Sequence, residues 1–253
     1  MIGFGELRKL ALQWQVDLAE VERTYATDWL LKGLFDRVAD TLILRGGTAL
    51  RYAYFADYPF HDAPEFIVLE APTYAMLKDA LGVAMQASGL KFLLSAFAGS
   101  SAQVDYTGPL GRRSAAQPRI TLLFIAGQPR DSVVRLPLLH RFSDACAATV
   151  VAQSLDEIAA ERIAMLGAAP RTRDVFEAWF IVTHAHEQMD AQRIGALALA
   201  IAQAKQLALP NPSAPFNPLY RAILERGWNK ANYQPSFDQV EQDLKQRLPS
   251  FIP

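Results

Sequence analysis

Residues 42–70 read LILRGGTALRYAYFADYPFHDAPEFIVLE. The apolar run Leu42 to Leu44 stops at the pair Gly46 and Gly47, which is the pattern of a buried strand ended by a turn. TALRYAYFA then has helical spacing with Thr48 placed to cap its start, and EFIVLE reads as a second strand. A strand, a Gly-Gly-Thr turn and a helix form one physical unit. The glycines let backbone N–H groups come close to a phosphate, and the helix N-terminus favours its charge. Gly46, Gly47 and Thr48 stand in those places, although many strand-to-helix turns hold two glycines and bind nothing.

Before this stretch, residues 5 to 39 carry apolar positions at three- and four-residue intervals, including Leu10, Leu18, Val21, Trp29, Leu34 and Val38, and predict two amphipathic helices. After it, TYAMLKDALGVAMQASG predicts a helix ended by Gly89, and KFLLSAFA, AQVDYT and RITLLFIA predict three more strands. From Ser154 onward the spacing is helical almost to the end, broken by LPNPSAPFNP at 209 to 218. The Ala-rich run 191 to 204 reads as a packed helix, and WNKANYQPSF at 228 to 237 as a C-terminal loop. With strands before residue 126 and long helices after 154, the expected organisation is α+β: a domain over 1–150 and a helical domain over 151–253.

The 253 residues, 51% of them apolar, suffice for one large domain or two modest ones. With 25 Lys and Arg against 26 Asp and Glu, net charge advertises neither a nucleic-acid nor a membrane partner, while a local basic groove stays open. The single cysteine, Cys146, excludes an internal disulfide and a Cys-based zinc cluster, reads as a small buried residue, and fits a reducing cytoplasm. The N-terminal twenty residues lack the apolar core of a secretory signal, and no segment approaches the roughly 18 apolar residues of a membrane span.

The 42–70 segment resembles the signature of the AbiEii/AbiGii abortive-infection toxin family of nucleotidyltransferases, in which a GGTAL turn precedes a stretch like RFSxDLDF that opens the next strand. In that polymerase-β-like superfamily two carboxylates at i and i+2 share a strand face and grip Mg²⁺ with the nucleotide phosphates. Aligned on the closing aromatic, PFHDAPEF puts Pro59 at the Arg, His61 at the Ser, Ala63 at the first Asp and Glu65 at the second. Asp62 is one residue out of register and faces the site only through a bulge, which Pro64 could favour. A third carboxylate is expected on a later strand. RITLLFIA has none, and the nearest acids are Asp105 and Asp131.

Residues 154 to 179, SLDEIAAERIAMLGAAPRTRDVFEAW, are similar to the family's second block, an EEIxAEKxxAL helix followed by RxKxRDxYDL. Ser154 and Glu157 form a capping-box pattern at its start. Glu161 and Arg162 stand at the family's Glu-Lys pair, and Arg173 and Asp174 at its Arg-Asp pair. The resemblance therefore implies Arg162 and Asp174 as site residues beside Asp62 and Glu65, with Arg173 joining the nucleotide-binding set. Arg in place of Lys keeps bidentate phosphate binding more readily than point-charge chemistry. These residues read equally as solvated helix charges and, for Arg173 and Asp174, as a helix-start pair.

Other signals carry less. His184 and His186 are two apart on a helix and do not share a face, and His61 and His140 are isolated in sequence. The aromatics Tyr52, Tyr54, Phe55, Tyr58 and Phe60 suit base stacking or plain packing.

The resemblance implies a nucleotidyltransferase-like core with a mixed sheet of four or five strands and flanking helices, joined to a C-terminal helical bundle, with a cleft between the two. It implies an NTP substrate, Mg²⁺, transfer of a nucleoside monophosphate to an RNA (such as tRNA) or protein acceptor, a cognate antitoxin, and a cytoplasmic role in toxin–antitoxin or phage-defence systems. The alternative is a catalytically inactive relative serving as a nucleotide-binding, regulatory or protein-interaction module.

Overall fold

The computed structural model describes residues 1–39, 41–59, 63–111, 118–167, 170–185, 189–208, 216–231 and 233–252. The chain divides into two compact units, Met1–Gln153 and Ser154–Pro253.

Unit 1 opens with α1 (Phe4–Trp14) and α2 (Leu18–Val38), followed by β1 (Leu42–Leu44), α3 (Gly46–Ala49), β2 (Glu65–Val68) and α4 (Tyr74–Ser88). Five strands complete it: β3 (Lys91–Phe97), β4 (Ser101–Thr107), β5 (Arg119–Ala126), β6 (Val134–Pro137) and β7 (Thr149–Ala152). Together the strands make one seven-stranded mixed sheet in the order β3-β4-β5-β2-β1-β7-β6. β1 runs antiparallel to β2 and parallel to β7, and β2 runs parallel to β5. Seven strands exceed the four or five expected, because β6 buries none of its residues and β7 has no Gly or Pro turn at its ends to mark it off.

One face of the sheet is packed. Phe66 and Phe124 stack 5.8 Å apart at ring centres, and Phe35 of α2 meets Phe66 at 6.4 Å. Each fully buried side chain of this kind contributes roughly 1.5–3 kcal/mol. α2 packs closely on α4 because Gly33 has no side chain: a Cβ there would come within 2.9 Å of Ala84 Cβ. The expected amphipathic α2 is instead buried on several faces, with Glu22, Thr24, Thr27 and Asp28 inside alongside its apolar residues. α4 ends as read, with Gly89 in the left-handed region at φ 74°.

His140, isolated in sequence, is not isolated in the fold. Its Nδ1 lies 2.8 Å from Asp28 Oδ2 and its Nε2 3.0 Å from Asp144 Oδ1, and Tyr25 donates its hydroxyl to the other oxygen of Asp144. Where both carboxylates are ionised each ring nitrogen meets an acceptor, which favours the imidazolium, while burial pushes the Asp28 carboxyl up in opposition. Burial alone would push His140 down, but the hydrogen bonds and charges of Asp28 and Asp144 raise it above its ordinary value. Cys146 is buried as expected, and burial pushes its thiol up to about 12.

Unit 2 is helical: α5 (Leu155–Leu166), α6 (Thr172–His184), α7 (Ala191–Ala204), α8 (Pro218–Ala231) and α9 (Phe237–Arg247), with a closing 3₁₀ turn at Leu248–Phe251. The Ala-rich run is α7. WNKANYQPSF is not a loop throughout: Trp228 sits in α8 and Phe237 opens α9, and both rings are buried against each other at 5.6 Å. His184 ends α6 stacked on Phe180 at 4.2 Å, a packing role; His186 lies outside the described residues. Among the described residues no helix is long and apolar enough to cross a membrane.

The raised His140 sets a pH dependence. Its stabilising contribution is fully present below the unfolded-state value of about 6.5 and is lost as pH rises through the folded-state value. Urea denaturation between pH 5 and 9 is expected to show falling stability on the alkaline side, and His140→Gln to remove that step; an unchanged profile in the variant would show that another group causes it.

Candidate nucleotide site

Arg45 is the N-cap of α3, and the helical run from Gly46 continues through a π-turn over Leu50–Tyr54, closed by the Phe55 N–H on the Leu50 carbonyl at 2.7 Å. Thr48 is therefore not the cap that its sequence position suggests. The cap lies three residues earlier, at Arg45, and Gly46 after it adopts φ 50°, a conformation that glycine reaches without strain. The Thr48 hydroxyl instead accepts the Glu65 N–H at 2.9 Å across to the first residue of β2. In return the Arg45 N–H reaches the Glu65 carbonyl at 3.2 Å. The turn and the carboxylate-bearing strand end are thus bonded twice, which places Glu65 beside the Gly-Gly-Thr turn.

Glu65 is half-buried, while Phe66 beside it in sequence is fully buried in the packed face. Alternation turns Glu65 to the opposite face, which it shares with Ile67 and, on β5, with its register partner Leu123. That neighbour is where a third carboxylate would have to stand. Asp105 does not substitute for it. Asp105 pairs in register with Arg119, four residues along β5 from Leu123, roughly 13 Å at a strand's rise. It is also held by the Arg119 guanidinium at 2.6 Å, which keeps its carboxyl below the usual range. Ala63, two residues before Glu65 and outside β2, has no side-chain oxygen. Asp62 and His61 lie outside the described residues.

Among the described residues no cluster of three or more His, Cys, Asp or Glu side chains forms a metal cage. The single carboxylate of Glu65 does not fit a Mg²⁺ held by protein alone. It does fit a Mg²⁺ whose remaining ligands are triphosphate oxygens and water, the usual way that this ion is held.

The glycines differ in what they offer. The Gly46 N–H donates to Gln153 Oε1 at 3.0 Å inside the protein. Gly47 is half-buried, and as the second residue of the helix its N–H has no acceptor within the helix.

Unit 2 holds the second block. Ser154 caps α5 by accepting the Glu157 N–H, as read. Arg162 of α5 lies 2.6 Å by Nε from Glu177 Oε2 and 3.5 Å by Nη1 from Asp174 Oδ1. Arg173 pairs with Glu177 at 2.8 Å, and Arg171 grips Asp174 with its side chain and its backbone N–H. Arg162 and Asp174 are thus brought together, and Glu177, which the sequence reading passed over, joins them. Its signal was present as i,i+4 spacing from Arg173. Burial alone would raise Asp174, but the Arg171 hydrogen bonds and the charges of Arg171 and Arg162 hold its carboxyl below the ordinary range. Asp174 and Glu177 are buried and fully engaged, the geometry of a structural ion network.

No family model and no curated protein matches the sequence. Among solved structures, the chain is similar to MenT4, a nucleotidyltransferase toxin from Mycobacterium tuberculosis H37Rv, with a TM-score of 0.60 at 12% identity over 92% of this chain and 84% of that one. The chain shares its overall fold with that structure; in this chain it is a seven-stranded mixed sheet with helices.

Two substitutions test these roles. Thr48→Val keeps the shape but strands the Glu65 N–H, and is expected to lower unfolding stability by about 1–3 kcal/mol in urea. Arg162→Met leaves two buried carboxylates short of a counter-charge, and is expected to cost unit 2 near the lower end of about 3–5 kcal/mol. A loss under 0.5 kcal/mol in either case would mean that the bond described is not a structural one.

Proposed function

We propose that the chain is a divergent nucleotidyltransferase-like protein of the AbiEii/AbiGii toxin type that binds a nucleoside triphosphate at the Gly-Gly-Thr turn and has a reduced carboxylate set. The observation that carries this is the Thr48 hydroxyl bond to the Glu65 N–H, which places Glu65, an acidic residue at the start of β2, beside the turn. Similarity of fold to a nucleotidyltransferase toxin supports the reading.

In this reading the Gly47 N–H meets a phosphate oxygen and the helix start beyond it favours the charge. Glu65, with Asp62 if the chain bulges before Pro64, faces the triphosphate. Glu65 would help to hold a Mg²⁺, which when bound would supply charge neutralisation for the transferring group. The guanidiniums of Arg162 and Arg173 reach a phosphate only by giving up ion pairs that they already make, so their contribution is to binding and is costly. The acceptor is RNA, such as tRNA, or protein, and a toxin role brings a cognate antitoxin and a cytoplasmic setting.

A second reading is favoured by one observation: Leu123 stands beside Glu65 on β5, where chemistry would want an acid. On that reading the protein is a pseudoenzyme that keeps nucleotide binding as a regulatory or interaction module.

Calorimetry with each NTP, with and without Mg²⁺, separates these from a merely architectural turn. The expected result is Mg²⁺-dependent binding that Glu65→Gln abolishes. Incorporation of labelled nucleoside monophosphate into RNA or protein then decides for transfer, and binding without incorporation decides for the pseudoenzyme. Failure of every NTP to bind would end both readings.

A further inference from the structure

We propose that Gln153 is a positioning residue of the nucleotide site: its buried carboxamide holds the Gly46 N–H inward, so that of the two turn glycines Gly47 alone presents its N–H to a phosphate. The inference rests on the nucleotide-binding reading above and specifies how the turn is built to serve it.

Gln153 follows β7 and is completely buried. It fastens the strand–turn–helix unit at three points. Its N–H donates to the carbonyl of Leu44, the last residue of β1, at 2.9 Å. Its side-chain Oε1 accepts the Gly46 N–H in the turn at 3.0 Å. Its carbonyl accepts the Tyr54 hydroxyl, from the end of the π-turn, at 2.7 Å. The end of β1, the turn and the helix after it are thus all tied to one residue, 107 positions beyond Gly46 and 99 beyond Tyr54.

The chemistry of this arrangement divides the glycine pair. Gly46 needs its left-handed φ of 50° to start the helix, and its N–H points to an acceptor that water does not reach. A phosphate taking that N–H would have to break its buried bond to the carboxamide, a bond between groups that water does not reach. Gly47 carries no such debt, since its N–H lies in the first turn of the helix where no backbone acceptor exists. The helical start is therefore pre-set by Gln153 in the geometry that aims the Gly47 N–H, and preorganisation of this kind is returned as affinity.

The test uses the full-length chain labelled with ¹⁵N, titrated with each NTP in the presence of Mg²⁺. In the wild type the Gly46 amide should exchange slowly with solvent both free and bound, while the Gly47 amide resonance shifts on NTP addition. Gln153→Leu, which keeps the bulk and removes the acceptor, should weaken NTP binding roughly tenfold, as loss of a buried hydrogen-bond partner predicts. Gln153→Asn, too short to reach Gly46, should do the same and serves if the Leu variant does not fold. NTP binding as tight as or tighter than wild type in a folded variant overturns the proposal, because a mere plug would release the turn on removal. Rapid exchange of the wild-type Gly46 amide also overturns it. If the wild type binds no NTP while Gly46 stays protected, the nucleotide reading itself has failed and Gln153 only holds the fold.

Discussion

A backbone N–H withdrawn from water must find an acceptor, and where β1 ends the sheet ladder no longer supplies one. Two side chains fill the gap: Gln153 takes the Gly46 N–H and Thr48 takes the Glu65 N–H. Each acceptor does more than satisfy a donor. The first joins the turn to β7 on one side of β1, and the second joins it to β2 on the other. The geometry of the candidate site, a glycine N–H and a carboxylate at the rim of the sheet, follows from meeting that demand.

Charge burial is the second constraint, and the two units meet it in a similar way. In unit 1 a histidine is placed between Asp28 and Asp144, and in unit 2 Arg162 is placed between Asp174 and Glu177. Removing a charge from water is tolerated only with an opposite charge and hydrogen bonds around it. For Arg162 the near charges are both acids, so its guanidinium is balanced within unit 2 itself. An arginine suits this position locally, since its fork geometry faces two acids at once.

Much of the fold was legible because its signals are local. The strand–turn–helix of 42–54, the second strand at Glu65, the helix stopped by Gly89 and the three strands that follow each announce themselves by periodicity and glycine placement. What escaped is long-range or unmarked. β6 buries no residue and β7 lacks flanking turn signals, and the Asp28–His140 bond spans 112 residues. At the site, Glu65, Gly47 and Thr48 were readable from a contiguous motif, but the role of Thr48 was not. A hydroxyl that caps its own helix and one that binds a neighbouring strand look alike in sequence. Gln153 gave no signal at all, because its meaning lies in a partner 107 positions away.

That separation bears on how the protein comes into being. A chain growing from its N-terminus makes the Gly-Gly-Thr segment early, yet the segment stays unfinished until Thr149–Gln153 arrives to pair with β1 and supply the carboxamide. Closing so long a loop costs entropy that only the completed contacts return. A fragment that stops short of β7 therefore contains the whole glycine motif but not the means to hold it, and the motif gains its shape only when the entire first unit has left the ribosome.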